Sequence, residues 1–153
     1  RGRGAFASTS YLAGAFGEWC VEPLGSLARV ILLDQFTRNA FRDTPDAFAG
    51  DGRALATTLH ALDRGFDAAL DPCERWFLYM PLEHAEDLAL QERGVELFTA
   101  LARDTGVDSP LPWAKRHCDV IRRFGRFPHR NAVLGRVTTQ AEQAFLNDGG
   151  FGG

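Results

Sequence analysis

The apolar residues of the chain recur at steps of three and four along most of its length, which is the spacing of one face of an α-helix. The first stripe predicts a helix over residues 26–41. Its apolar members are Leu24, Leu27, Val30, Ile31, Leu33 and Phe36. The sequence Asp43-Thr44-Pro45 then breaks the helix, and Asp46 can cap a short new turn.

A second helix is predicted to begin at residue 52 or 53 and to end at residue 64, with Gly65 just past its end. The residues expected to face the core are Leu55, Leu59 and Leu62. Asp71 and Pro72 then restart the chain as the N-cap and the first position of a helix. Residues 73–104 follow with helical spacing, and predict either one long helix kinked at Pro81 or two helices.

The C-terminal third predicts a loop over residues 105–112 and a helix over residues 113–124. Thr139 and Glu142 have the spacing of a capping box, so a last helix should open at Thr138 or Thr139. We expect residues 1–11 and 148–153 to be mobile.

The pattern contains no β-type alternation and no hairpin signal. The fold class predicted from it is all-α, an array of antiparallel helix pairs that forms one helical domain over residues 1–153.

Composition narrows the classes of partner. At 153 residues the chain is long enough for one hydrophobic core, and its net charge of −3 argues against nucleic acid as a partner. No apolar run is long enough to cross a bilayer, so no membrane partner is expected.

The three cysteines are widely spaced and form no C-x-x-C pair, which is typical of a reducing compartment, and we expect a cytoplasmic protein. Because the chain does not begin with Met, we expect it to be a fragment that lacks its true beginning.

Positive charge is concentrated near the C-terminus. Residues 115–136 contain seven basic residues and one acid, so this segment has a charge of +6 and the rest of the chain −9. Several of these arginines neighbour Phe124 and Phe127, whose burial draws the arginines toward the interior. A buried arginine needs a carboxylate or a bound anion as its partner. We therefore expect internal arginines that are paired with Asp34 and with acids of residues 83–92, and an anion site wherever one stays unpaired.

A second polar cluster lies in residues 32–42. Asp34, Arg38 and Arg42 follow one another at steps of four and share a helical face, with Asn39 beside them. This face either points into a cleft or carries an ordinary exposed ion pair.

A third cluster lies in residues 82–92. His84 and Asp87 are three residues apart, and Glu83, Asp87 and Gln91 follow at steps of four. A histidine with carboxylates one turn away can bind a metal ion or act as a general acid or base. With one histidine on this helix, a structural histidine bonded to Asp87 is the favoured interpretation, and no metal or other cofactor is predicted.

These clusters, in this order, resemble the bacterial family known as domain of unknown function 924. The stretches that carry the resemblance are LARVILLDQFTRNAFRDTPDAFAGD, FLYMPLEHAEDLALQE and HCDVIRRFGRFPHRNAVLGRVTTQAEQAFL. The resemblance implies an all-helical, tetratricopeptide-like right-handed array, and it implies no reaction. It also implies a Trp/Phe-rich helix before the region where this sequence starts.

Two positions depart from the family pattern, in which Pro usually stands at Thr37 and Ser at Ala85. The Ala85 departure removes a hydroxyl beside His84. The polar residues that match the pattern are Asp34, Gln35, Arg38, Asn39, Arg42, His84, Glu86, Asp87, Gln91, Arg126, His129, Arg130, Asn131 and Arg136.

Three functions fit these observations. The first hypothesis is a pocket that binds a small phosphate- or carboxylate-bearing ligand, with His84, Asp87 and His129 as candidates for acid–base chemistry. The predicted ligand-binding residues are Asp34, Arg38, Asn39, Arg42, Glu86, Gln91, Arg126, Arg130, Asn131 and Arg136. The alternatives are a helical-repeat module that binds an acidic peptide, and an ion-pair network that only fixes the helices. The sequence does not predict an oligomeric state.

Overall fold

The structure is a computed structural model that describes residues 17–151. Within that range it contains six α-helices, four short 3-10 turns and no strand, which confirms the all-α fold class. The predicted mobility of residues 1–11 lies outside the described range.

Helix α1 is one continuous rod made of three segments, Pro23–Val30, Ile31–Phe36 and Thr37–Ala40. The middle segment is wound as a π-helix, and the Thr37 hydroxyl donates a hydrogen bond to the carbonyl of Leu33 at 2.6 Å. Of the predicted apolar stripe, Leu27, Val30 and Leu33 are buried. Leu24, Ile31 and Phe36 are exposed. Leu24 lies in the first turn of α1, and the wider π turn rotates the later residues away from the face that Leu27 begins.

Helix α2 spans Asp51–Asp63, and Gly65 follows its end in the left-handed conformation, as expected. The residues that α2 buries completely are small: Ala54, Thr57, Thr58 and Ala61. The leucines predicted to face the core, Leu55, Leu59 and Leu62, are only half-buried. Small side chains bring the α2 backbone close to its neighbours, and the leucines flank that contact.

Helices α3 (Pro72–Glu83) and α4 (Leu88–Thr105) correspond to the two-helix alternative. Asp71 and Glu74 form a capping box at the start of α3. The break falls at residues 84–87 and Pro81 stays inside α3, so the kink expected at Pro81 is not where the chain turns. Asp87 caps α4 by accepting a hydrogen bond from the Leu90 amide at 3.1 Å. Glu83, Asp87 and Gln91 therefore do not stack on one helix.

Helix α5 spans Leu111–Phe124 and α6 spans Gln140–Asn147, where Thr139 and Glu142 form the predicted capping box. Helix α4 packs against both α3 and α5, and α1 packs against α2. The short connections make α3, α4 and α5 successive antiparallel neighbours. The main core lies between them and α1, and includes Val30, Ala61, Leu78, Phe98 and Leu101.

A smaller core lies at the C-terminal side and consists of Val120, Ile121, Phe127 and Phe151. Phe151 belongs to the segment that was expected to be mobile, and its side chain is 4% exposed. No helix within residues 17–151 has the length and apolar character needed to cross a membrane.

Candidate functional site

Asp34 lies at the centre of the polar interior. The π segment of α1 points its carboxylate inward, and the residue is fully buried. It accepts hydrogen bonds from Nδ1 of His84 at 2.7 Å and from Nε2 of Gln35 at 2.6 Å. Burial alone would raise the pKa of Asp34, but the contacts with His84 and Arg38 outweigh it and hold the pKa below its ordinary value.

His84 terminates α3, and its partner is therefore Asp34 from α1 and not Asp87 as the sequence suggested. The helix ends between His84 and Asp87, so these two residues do not lie one turn apart on a single helix. Burial lowers the pKa of His84, and the Asp34 carboxylate opposes that effect only in part. A neutral imidazole whose Nδ1–H donates to a carboxylate presents its Nε2 lone pair, which suits a general base or a metal ligand.

Arg38 is neutralised by a residue that the sequence did not single out. Its NH2 group donates to both carboxylate oxygens of Asp51, at 2.9 and 2.8 Å, and lies 3.5 Å from Asp34. Asp51 is the first residue of α2, where Gly50 brings the helix start against α1. The sequence shows Asp51 as an acid in the first turn of a predicted helix, where acids are favoured. No local pattern in the sequence links Asp51 to Arg38.

Arg130 is the least neutralised of the buried arginines. It is 6% exposed, and its guanidinium group lies between the rings of Phe48 and Phe127, at 4.8 and 4.4 Å from their centroids. Its nearest carboxylate is Asp51, at 3.6 Å, and its Nε has no hydrogen-bond partner within residues 17–151. Burial, and then the charge of Arg38, lowers the pKa of Arg130 to about 10. Arg130 keeps its charge at pH 7 and lacks a full counter-ion.

Arg126 and Arg136 are fully paired. Arg126 forms two hydrogen bonds with Glu142, at 2.6 and 2.8 Å, and Arg136 forms two with Glu86, at 2.6 and 3.0 Å. Asn131 is buried and accepts a hydrogen bond from Arg136 at 3.0 Å. The Glu86 pairing agrees with the expected carboxylates of residues 83–92, whereas Arg126 takes its partner from α6. The structure therefore separates these residues from Arg38 and Arg130.

Gln91 and Asp87 serve the turn between α3 and α4. Nε2 of Gln91 donates to the carbonyls of Glu83 and Ala85, at 2.6 and 2.7 Å. The exposed Asp87 carboxylate caps α4. Ala85, where the family pattern has Ser, is half-buried and contributes a methyl group to a pocket wall beside His84.

Two neighbouring pockets share Arg130. The smaller one, of about 250 Å³, is predominantly acidic and is lined by residues that include Asp34, Asp51, His84, Glu86 and Arg130. The larger one, of about 510 Å³, is basic: Arg38, Arg42 and Arg130 line it with a single acid, Asp43. Its other lining residues are Gln35, Asn39, Ala47, Phe48, His129 and Val133.

Of the predicted residues, the structure brings two groups together around Arg130. The larger pocket contains Arg38, Asn39, Arg42, His129 and Arg130, and the smaller contains Asp34, His84, Glu86, Asp87 and Arg130. Gln91, Arg126, Asn131 and Arg136 line neither pocket.

Behind His84 lie two polar side chains, Glu83, which the sequence placed in the same cluster, and His117, which it did not connect with His84. Glu83, 5% exposed, and His117, 7% exposed, face each other with 3.7 Å between Oε1 and Nδ1. Burial raises the pKa of Glu83 to about 8 and lowers that of His117 to about 4. Together with His84 they bring one possible metal-binding atom each within 4.8 Å of the others.

Comparisons with known proteins agree with the architecture. A family model described as "Bacterial protein of unknown function (DUF924)" matches residues 4–150. A solved structure of a protein of unknown function from Agrobacterium tumefaciens is similar to this chain, with 41% sequence identity and a TM-score of 0.80. That match covers 87% of this chain and 73% of the other. A search of curated proteins gives no match.

Proposed function

The chain belongs to the DUF924 family of bacterial proteins of unknown function, and from the geometry of its polar interior we propose that it binds a small anionic ligand in the larger pocket. The ligand carries a phosphate or carboxylate group. The single observation that carries the proposal is Arg130, a buried guanidinium group at the pocket wall whose carboxylate partner lies 3.6 Å away.

Burial of an incompletely paired arginine costs free energy that a bound anion would recover. In the larger pocket Arg38 and Arg42 stand beside Arg130. Nε of Arg38 and Nδ1 of His129 are buried and have no hydrogen-bond partner among the residues that the structure describes. The amide side chains of Gln35 and Asn39 line the same cavity. Several donors that converge on one basic concave surface favour a compact oxyanion.

The geometry supports the two alternative functions, a structural ion-pair network and a peptide-binding module, less well than it supports anion binding. An ion-pair network explains Arg126 and Arg136, which are sealed against Glu142 and Glu86, but it leaves Arg130 without a full partner. A module that grips an acidic peptide needs arginines spread along an open groove, whereas Arg38 and Arg130 converge on one carboxylate. The tetratricopeptide-like array and the cytoplasmic location remain proposals, and the free thiols of Cys20, Cys73 and Cys118 favour the latter.

The test measures binding of inorganic phosphate, pyrophosphate, a dicarboxylate and an acidic peptide by thermal shift and calorimetry. Arg42→Ala removes an exposed charge at the rim of the pocket and should leave the fold intact. Loss of one charged hydrogen bond should weaken anion binding about 10- to 100-fold. Arg103→Ala removes an exposed arginine of α4 that pairs with Asp104, and should bind as the wild type does.

Arg130→Gln removes the buried charge and should abolish the thermal shift that the anion causes in the wild-type protein. Equal responses from the wild type and the Arg42 and Arg130 variants would show that the anion binds elsewhere. A response to the peptide alone would favour the peptide-binding alternative, and no response to any probe would favour the structural network.

A further inference from the structure

Glu83, His84 and His117 form a buried cluster in which the side chains are close but incompletely bonded to one another. The contact between Glu83 and His117, at 3.7 Å, is too long for a hydrogen bond, and Oε2 of Glu83 has no partner within residues 17–151. A carboxyl group buried to this extent without partners is costly, and a network built only for stability would satisfy it. We propose that Glu83, His84 and His117 bind a divalent transition-metal ion such as Zn²⁺.

The donor set suits such an ion. Two imidazoles and one carboxylate are the protein ligands of many zinc sites that keep a fourth position open. One donor atom from each residue lies within 4.8 Å of the others, and metal–ligand bonds of 2.0–2.2 Å require separations of about 3.4 Å. Modest side-chain rotations close that difference. Calcium and magnesium, which prefer oxygen ligands, fit this set poorly.

The group behind His84 is arranged as metal sites require. Nδ1 of His84 lies 2.7 Å from the buried Asp34 carboxylate, and this acceptor fixes the tautomer in which Nε2 carries the lone pair. His117 approaches Glu83 through Nδ1, which also lies 2.8 Å from the Trp113 carbonyl, so the His117 ring must give up that carbonyl or turn in order to bind the ion. The ring of Phe151 packs against His117 at 4.4 Å, and Phe127 lies 5.6 Å from it, so the His117 side is shielded from water.

The charges nearby permit a cation. Asp34 provides a carboxylate beside the cluster, and Glu83, a member of the cluster with a pKa raised to about 8, provides a second when the ion displaces its proton. The cations closest to His84 are Arg38 and Arg130, and Asp51 pairs with both of them. His84 also lines the smaller pocket, so the open coordination position would face a cavity that small molecules can enter. The anion pocket on the other side of Arg130 is not required for this inference.

The experiment is a calorimetric titration of the full chain with Zn²⁺, after removal of metal by a chelator and with the thiols kept reduced. We expect a single equivalent to bind, and Co²⁺ bound in its place to show the visible absorption of a four-coordinate site. Glu83→Gln preserves the shape of the side chain and should weaken Zn²⁺ binding at least about 10-fold. Asp34→Asn, which alters the partner of His84, should weaken it about 10- to 100-fold.

His60→Gln is the matched control, because His60 is an exposed histidine next to Cys20 and outside the cluster. It should bind Zn²⁺ as the wild type does. His117→Gln should lose binding, and circular dichroism establishes whether it folds; if it does not, Glu83→Gln carries the test. Wild-type affinity in Glu83→Gln, loss of binding in His60→Gln, or no binding by the folded wild-type protein would overturn the proposal.

Discussion

At the residue scale, His129 shows how strongly burial changes the chemistry of the basic segment. Its ring lies 5.6 Å from that of Phe127 and 5.7 Å from that of Phe151. Burial, and then the positive charge of Arg130, lowers the pKa of His129 to about 4, with Arg38 adding to the effect and Glu86 opposing it. The imidazole is neutral at pH 7 because it is buried and stands next to a positively charged arginine.

We expect the protein to lose stability as the pH falls from about 6.5 to about 4. The unfolded chain protonates His129 near its ordinary pKa of 6.5, whereas the folded protein does so only near 4, so acid favours the unfolded state. The stability associated with the neutral ring is complete above 6.5 and is lost as the pH falls through 4. His117 shifts in the same direction and adds to the slope, whereas Glu83, whose pKa is raised to about 8, opposes it.

Thermal unfolding followed by circular dichroism between pH 8 and pH 4 measures this dependence. His129→Gln should lower Tm less steeply over that range than the wild type, since one of the titrating groups is gone. If His129→Gln keeps the wild-type slope, His129 is not held neutral by the fold.

At the scale of the elements, the crossing of α1 and α2 decides the geometry of the polar interior. A Cβ atom built on Gly50 would lie 2.0 Å from the Leu33 carbonyl oxygen, so only glycine permits this approach. The φ angle of Gly50 is −86°, which any residue can adopt, and the requirement is therefore one of space. The contact brings Asp51 within reach of both Arg38 and Arg130.

Gly50→Ala should destabilise the protein by about 1–3 kcal/mol, because the two helices must move apart to admit a methyl group. For a chain of this length each kcal/mol lowers Tm by about 2–4 °C. Gly52→Ala, two residues later on α2, meets no atom within 4 Å and should change stability by less than about 0.5 kcal/mol. Urea unfolding of the two variants provides the comparison, and similar losses in both would contradict the steric argument.

At the scale of the whole molecule, the segment after α5, residues 125–151, covers one side of the structure and lines both candidate sites through Arg130. Within it Arg126 pairs with Glu142 of α6, and Arg136 joins it to Glu86 in the turn between α3 and α4. Phe151 then enters the smaller core and packs on His117 and His129. Phe151 thus contacts one histidine of each candidate site.

Phe151→Ala should reduce the free energy of unfolding by about 3 kcal/mol, since a buried ring is replaced by a cavity. The control is Val137→Ala, because Val137 belongs to the same segment and is 85% exposed. That variant should differ from the wild type by less than about 0.5 kcal/mol in urea unfolding. A Phe151 variant as stable as the control would show that the segment does not belong to the folded core.

The helices could be predicted from the sequence, because their signals are local. The capping boxes at Asp71 and Thr139, the stop at Gly65 and the apolar periodicity each depend on residues a few positions apart. The interior position of Arg130 also followed locally, since burying Phe127 draws its neighbours inward. Local signals did not distinguish a kink at Pro81 from a helix break at residues 84–87, and the structure has the break.

The contacts between polar groups depend on the packing of the helices. Asp34 and His84 are 50 residues apart, as are Glu86 and Arg136, and no periodicity relates positions on different helices. Asp51 and His117 entered the candidate sites in the same way, through the packing of α2 and α5, whereas Glu83 is next to His84 in the sequence. The sequence predicts that buried arginines and histidines need partners, because burying a charged or polar group without one costs free energy. Which residue becomes the partner depends on how the helices cross.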